Sequence, residues 1–210
     1  MPIASQLAHK LLQIKAIQLS PQKPFTWASG WKSPIYCDNR IILSHPDLRR
    51  FVIQGFVEVA RSMQPLDVVA GVATAGIAHG VLLAEALNLP FVYVRAKAKE
   101  HGRRNMIEGE LKPGSRVLVV EDLISTGGSC LAAVEALRDA GAEIAGVAAV
   151  FSYGFAEADA AFAAANCPWA TLSHYNVLIE AAQEAGAIPE SDMETLRAWR
   201  SNPAQWGREA

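Results

Sequence analysis

The sequence is short of the features that mark several classes of protein. Its three cysteines, Cys37, Cys130 and Cys167, are odd in number, far apart and accompanied by no CxxC or clustered histidine. This argues against a disulfide framework and a zinc site, and leaves three free thiols. No apolar run reaches membrane-spanning length without a charge. The opening MPIASQLAHKLLQIKAI is broken by His9, Lys10 and Lys15, so it lacks the apolar core of a secretory signal. Charge of one sign is missing too: 19 Lys and Arg face 21 Asp and Glu, a net charge of −2, and no basic patch points to a nucleic-acid partner. Internal repeats and low-complexity linkers are absent. The expectation is a soluble, cytoplasmic protein without membrane or nucleic-acid partners.

What is present is apolar material, 51% of 210 residues, enough for one α/β domain with a full core. Residues 5–19 carry Leu7, Leu11, Ile14 and Leu19 at near-helical spacing, and residues 47–63 carry Leu48, Phe51, Val52, Phe56 and Val59 on one face. Both read as amphipathic helices. Between them FTWASGWKSPIYCDNR suits an irregular loop and a short strand. From Asp67 onward short β-branched runs alternate with helical stretches: DVVAGVA, a helix to about Leu87, FVYVRA, SRVLVVED, a helix from about Ser129 to Ala140, and EIAGVAAVFS. That alternation predicts right-handed crossovers and a mainly parallel twisted sheet with helices on both faces. WATLSH adds a strand, and the Ala-rich residues 156–165 a helix. Ser191 and Glu194 have capping-box spacing for a last helix that Asn202 and Pro203 end. The division expected is a hood over residues 1–45 and a core over 66–155, within one domain.

The most informative stretch is VLVVEDLISTGGS, Val117–Ser129. A strand ending at Glu121 places two acids at the edge where open parallel sheets bind ligands. Ser125, Thr126, Gly127, Gly128 and Ser129 then lead into a helix, so free backbone N–H groups and hydroxyls converge with the helix dipole behind them. The turn has neither the GxxxxGK of a P-loop nor the GxGxxG of a dinucleotide fold, and it reads as a monophosphate cradle. Carboxylates repel phosphate but accept hydrogen bonds from sugar hydroxyls. A ribose 5-phosphate satisfies both halves. GVATAG, residues 71–76, is either a second anion loop with Thr74 adding a hydroxyl or a plain strand-to-helix turn. RAKAKEHGRRN, residues 95–105, is a dense basic run that follows a strand at the same edge.

VLVVEDLISTGGS resembles the phosphoribosyl diphosphate signature of the type I phosphoribosyltransferases. FTWASGWKSPIYCDNR and YVRAKAKEHG resemble, in the same order, segments of orotate phosphoribosyltransferases within that family. The resemblance implies that the chain takes part in UMP biosynthesis, moving ribose 5-phosphate from phosphoribosyl diphosphate to orotate with Mg²⁺, no metal being bound by protein ligands alone. It further implies that Glu121 and Asp122 hold the ribose hydroxyls while Leu123, Ile124 and Ser125 to Ser129 form the cradle. Arg95, Lys99 and His101 then bind the diphosphate of the neighbouring subunit's site in a homodimer, from a lid whose mobile part is residues 97–109, and Lys97 supplies the charge missing at Ala96. Lys99, His101 and Asp122 carry the catalysis, Thr74 joins the diphosphate, Ser125 meets the base, and Lys32, Tyr36 and Cys37 line the base pocket. The chain departs from the family where lysines are common, at Ala28, Ala75 and Ala96, and where an arginine meets orotate, near Tyr153.

Two rival readings keep part of this pattern. A purine phosphoribosyltransferase shares the signature but leaves KSPIYCDNR unexplained. A regulator that senses phosphoribosyl diphosphate needs no Lys99/His101 lid. A fused decarboxylase domain is not expected.

Overall fold

A computed structural model describes residues 2–27, 29–96 and 106–207. Its centre is a six-stranded sheet in the order β10-β9-β8-β5-β6-β7, formed by β5 (Val68–Val72), β6 (Phe91–Val94), β7 (Ile107–Glu108), β8 (Arg116–Ile124), β9 (Glu143–Ser152) and β10 (Trp169–His174). All neighbours are parallel except β7, which pairs antiparallel with β6 through Tyr93↔Glu108 and Val94↔Ile107.

The strands read as unbroken apolar runs because both faces are covered, and their period of two divides the core. Leu118, Val120, Ala148 and Val150 face one cluster. Val117, Val119, Val147 and Ala149 face the other. The first cluster is closed by α1 (Ile3–Gln13), α2 (Pro46–Ser62), α3 (Ala75–Leu87), α6 (Tyr175–Glu184) and α7 (Met193–Ser201). The second is closed by α4 (Gly128–Asp139) and α5 (Ala156–Ala164), through Cys130, Val134, Leu137 and Phe162.

Above the first face sits the hood, two antiparallel pairs: β1 (Ile17–Leu19) with β4 (Ile35–Cys37), and β2 (Phe25–Thr26) with β3 (Lys32–Ser33). A short 3-10 turn, Asn39–Ser44, joins the hood to α2.

The mainly parallel sheet, its helices and the strands at 143–152 and 169–174 agree with the sequence reading. Five details differ. Leu19 is not helical: α1 stops at Gln13, Lys15 takes a left-handed φ of 58°, and Ile17 and Leu19 pair with Cys37 and Ile35. β8 does not end at the acids but carries them, pairing Glu121 with Ala149 and Leu123 with Phe151. The capping box at Ser191 does not form. The 3-10 turn Glu190–Asp192 runs straight into α7, so Ser191 lies inside the coil and α7 has no side-chain cap bond. Helix α6 went unread because WATLSH passes into it without Gly or Pro, although Tyr175, Leu178, Ile179 and Ala182 have helical spacing. At the other end of the expected lid, residues 107–108 form β7 against β6.

His79, on α3, is wholly buried beside the Phe56 ring, and neither ring nitrogen has a hydrogen-bond partner among the described residues. Burial lowers its pKa from 6.5 to about 4. The unfolded chain therefore takes up a proton that the folded chain refuses, and stability is lost as pH falls from 6.5 toward 4. The loss attributable to this residue is about 3 kcal/mol over that range. His79→Leu should remove it, so urea midpoints of variant and parent should diverge in the variant's favour as pH drops. Parallel curves would refute the assignment.

Candidate active site

β5 and β8 are neighbours, and the chain leaves them in opposite directions, toward β6 and β7 on one side and β9 and β10 on the other. The crevice beyond their carboxyl ends is the place where such sheets take ligands. Glycine makes the crevice tight. A Cβ on Gly76 would stand 2.4 Å from the Val120 carbonyl oxygen, so only glycine lets the first turn of α3 lie against the end of β8.

Glu121 is 6% exposed and Asp122 half-buried. Two adjacent carboxyl groups screened from water resist double ionisation. Burial, and then the charge of Asp122, pushes Glu121 up to about 9. Burial raises Asp122 as well, while a hydrogen bond from Glu121 and the charge of Arg40 pull it down. Near neutrality the pair thus resists losing both protons, and burial holds the Glu121 carboxyl protonated. The Asp122 N–H donates to Glu121 Oε1 at 3.0 Å. Its carbonyl accepts from Nδ2 of the buried Asn39 at 2.7 Å, which ties the hood to the end of β8. Next to Asn39, Arg40 closes a two-pronged bond on Asp38 at 2.7 and 2.9 Å, and holds that carboxyl below its usual value.

After Ile124 the chain turns through Ser125–Gly127 into α4. Gly127 has φ 85°, and a Cβ there would meet the Phe162 ring at 2.8 Å, so both conformation and space call for glycine. The helix begins without a side-chain cap bond, and Thr126, Gly128 and Ser129 are exposed, so its N–H groups open on the crevice. Thr74 likewise starts α3 without a side-chain cap bond and is exposed. The two uncapped helix ends stand at neighbouring strands.

Three hollows adjoin this edge. The first, about 300 Å³, is lined by Thr26, Trp27, Tyr36, Cys37, Leu123, Ser125 and Tyr153. Trp27 and Tyr153 lie with ring centroids 5.0 Å apart, and the Trp27 indole N–H donates to the Ile35 carbonyl at 3.1 Å. Burial raises Tyr153 well above its ordinary phenol value, and burial with the charge of Asp122 does the same to the Cys37 thiol. No lining side chain is an Asp, Glu, Lys, Arg or His, and the slot fits a flat ring. A second hollow, shared with Trp27, Ser29, Trp31, Ser125 and Thr126, continues along the cradle. The third, about 80 Å³, is lined by Val72, Ala73, Arg95, Met106 and Ser129 among others. There Arg95 reaches Glu108 at 3.3 Å.

The structure thus brings Tyr36, Cys37, Leu123 and Ser125 to one slot, sets Asp122 near enough for its charge to act on Cys37 and Tyr153, with Glu121 bonded beside it, and strings Thr126, Gly127, Gly128, Ser129, Thr74 and Arg95 along the crevice. Ile124 is a core residue, 1% exposed, and offers the site backbone only. Lys32 is exposed on the hood, its ammonium on the Thr26 hydroxyl at 2.9 Å, and does not itself line the slot. Lys97, Lys99 and His101, and Ala28 with them, fall outside the described residues. Sequence reasoning did not assign Thr26, Trp27, Asn39 or Arg40. The aromatics in the Gly-containing loop WASGW were the available signal for Trp27; nothing local marks Asn39. The cysteines are free, as expected.

The phosphoribosyl transferase domain family matches residues 47–169. The orotate phosphoribosyltransferase of Bacillus caldolyticus is 54% identical over 202 residues, 96% of this chain and 98% of that protein. The UMP synthase of Leishmania donovani superposes with a TM-score of 0.80 at 28% identity, over 94% of this chain and 42% of that one. The Mycobacterium tuberculosis orotate phosphoribosyltransferase, in complex with 5-phospho-α-D-ribosyl 1-diphosphate, gives 0.66 at 26% identity, over 84% and 99%.

Because Glu121 is held protonated by burial, a neutral amide should be at home there. The raised pKa means that the carboxyl costs stability increasingly as pH rises from 4.5 toward about 9. Glu121→Gln, whose amide still accepts from the Asp122 N–H and donates to its carboxylate, should raise the thermal midpoint of the ligand-free protein at pH 8, with the gain vanishing near pH 4.5. A gain independent of pH would show that the effect is not the proton.

Proposed function

As the chain belongs to the orotate phosphoribosyltransferases, within the phosphoribosyl transferase family, we infer that it transfers ribose 5-phosphate from phosphoribosyl diphosphate to orotate. The products are orotidine 5-monophosphate and diphosphate, and the step belongs to pyrimidine biosynthesis. The observation that carries the reading is the continuity of one crevice: a slot for a flat ring with no acid or base in its lining, an acid pair near it, and an uncapped helix N-terminus beyond. Those three parts match base, ribose hydroxyls and 5-phosphate in order.

In our reading the base stacks in the slot between Trp27 and Tyr36, with Ser125 and the backbone around Cys37 meeting its polar edge. Asp122 and Glu121 accept hydrogen bonds from the ribose hydroxyls, and Ser125 to Ser129 wrap the 5-phosphate. Diphosphate leaves from the side of Thr74 and Arg95. As the bond to diphosphate loosens the sugar becomes oxocarbenium-like, and the fixed charge of Asp122 steadies it. Lys97, Lys99 and His101 are assigned to the leaving group and to closure over the site, which keeps water from the reactive sugar.

The proposed cation is Mg²⁺. In this reading its oxygens come from substrate and water, with at most one carboxylate of the protein contributing. When bound it supplies positive charge to the departing diphosphate. We place the enzyme in the cytoplasm, a reading supported by three free thiols and by the absence, among the described residues, of a helix long and apolar enough to cross a membrane.

Loss of orotate absorbance on adding phosphoribosyl diphosphate and Mg²⁺ tests the reaction, with adenine and hypoxanthine as competing acceptors. Asp122→Asn should fold as the parent does and turn over ~10²–10³ more slowly; unchanged turnover would remove Asp122 from the site. Sharing of the lid across a homodimer is tested by co-refolding Asp122→Asn with Lys99→Ala. Each alone should be nearly inactive, and an equal mixture should recover roughly a quarter of full activity if each lid serves its neighbour in an isologous dimer. No recovery, with mixed dimers confirmed, would assign each lid to its own subunit.

A further inference from the structure

The slot for the base has a charge problem. Orotate differs from uracil by one carboxylate, and that anion must enter a pocket whose lining holds no Lys, Arg or His and whose nearest charged neighbours include Asp122 and Asp38. A carboxylate desolvated beside two acids needs a cation. Tyr153, packed on Trp27 in the slot wall, cannot supply one.

Arg40, Arg200 and Lys32 are three of the basic side chains described near the hood and slot. Arg40 spends its guanidinium fork on Asp38. Arg200, on α7, donates to the carbonyls of Tyr153 and Gly154 at 3.3 and 2.8 Å, beneath the slot. Lys32 is differently placed. Its ammonium meets only the Thr26 hydroxyl, at 2.9 Å, and makes no ion pair among the described residues. Thr26 itself lines the slot and is the strand partner of Lys32 across β2 and β3, so the two side chains share a face.

The base of the lysine is also fixed. Its carbonyl accepts from the indole N–H of the buried Trp199 at 3.2 Å, and its Cβ lies close to Gly207, where an added Cβ would stand 3.3 Å away. An ammonium carries three donors and here uses one.

We propose that Lys32, reaching over Thr26 at the rim of the slot, binds the carboxylate of the acceptor base and so selects orotate over uracil. This rests on orotate being the acceptor. Thr26 hands the ammonium a resting partner whose neutral hydroxyl is exchanged for a charged one when the base enters, and a charge-assisted bond is the stronger of the two.

The test compares two nucleotides that differ only in that carboxylate. Inhibition constants of orotidine 5-monophosphate and uridine 5-monophosphate are measured for the parent, Lys32→Met, which keeps the aliphatic stem, and Lys32→Arg. The parent should prefer orotidine 5-monophosphate. Lys32→Met should lose roughly tenfold to hundredfold of affinity for it. Its KM for orotate should rise by a similar factor, with uridine 5-monophosphate and phosphoribosyl diphosphate held as before. Lys32→Arg should keep most of the preference. Equal losses for both nucleotides would make Lys32 a packing residue and overturn the proposal, as would an unchanged preference in Lys32→Met or none in the parent. A parent that neither consumes orotate nor binds orotidine 5-monophosphate, yet transfers to another base, would instead overturn the assignment of the acceptor, and this proposal with it.

Discussion

Glu121 and Asp122 cannot both be ionised while they lie side by side at the closed end of β8, and much of the molecule answers to that restriction. Burial keeps a proton on Glu121 and raises Asp122 too, so the anionic form of Asp122 needs support. Arg40 stands close enough to favour that anion, while its own fork is occupied by Asp38. Asn39, with no exposure to water, holds the Asp122 carbonyl. A chain seeking only stability would not bury two acids with so little compensation, since a buried carboxyl costs several kcal/mol unless fully paired. The cost is understandable if sugar hydroxyls are the missing donors.

The same edge shows how sheet topology and glycine together make room. β5 and β8 are adjacent, yet the chain leaves them in opposite directions, which opens the crevice. Gly76 allows α3 to start against the Val120 carbonyl, and Gly127 allows α4 to start against Phe162. The two uncapped helix ends bring positive partial charge to either side of a buried acid pair. A ligand carrying both anionic groups and hydroxyls would be oriented by that arrangement, its anions toward the helix ends and its hydroxyls toward the acids.

The hood and the carboxyl-terminal helix form one support although they lie at opposite ends of the chain. Trp27 packs on Tyr153 and edge-on against Trp199, which also meets Tyr153, Phe155 and Tyr175. Trp199 then holds the Lys32 carbonyl, and Arg200 holds those of Tyr153 and Gly154. The base slot is therefore supported from β9 and α7 as much as from its own loop, and its shape depends on residues about 170 positions apart in sequence.

The sequence by itself determined the alternation of strands and helices, because runs such as VLVV and EIAGVAAVFS are legible wherever both faces of a sheet are covered. It determined the acid pair and the small-residue turn after it, because that chemistry is written contiguously in Val117–Ser129, and it marked KSPIYCDNR as a motif. Where local signals were weak or borrowed, it misled: Leu19 continued a helical spacing but paired as a strand, and Ser191 had a cap's spacing but lay inside a turn. Only the tertiary structure decided how far the two carboxyls are pushed from their ordinary range, since that depends on burial and on Arg40, far from β8 in the chain. Only it showed that Trp27, Tyr153 and Trp199 meet, and that Lys32 is left without a carboxylate partner among the described residues. Those are statements about distance and exclusion of water, and neither quantity has a period or a motif in one dimension.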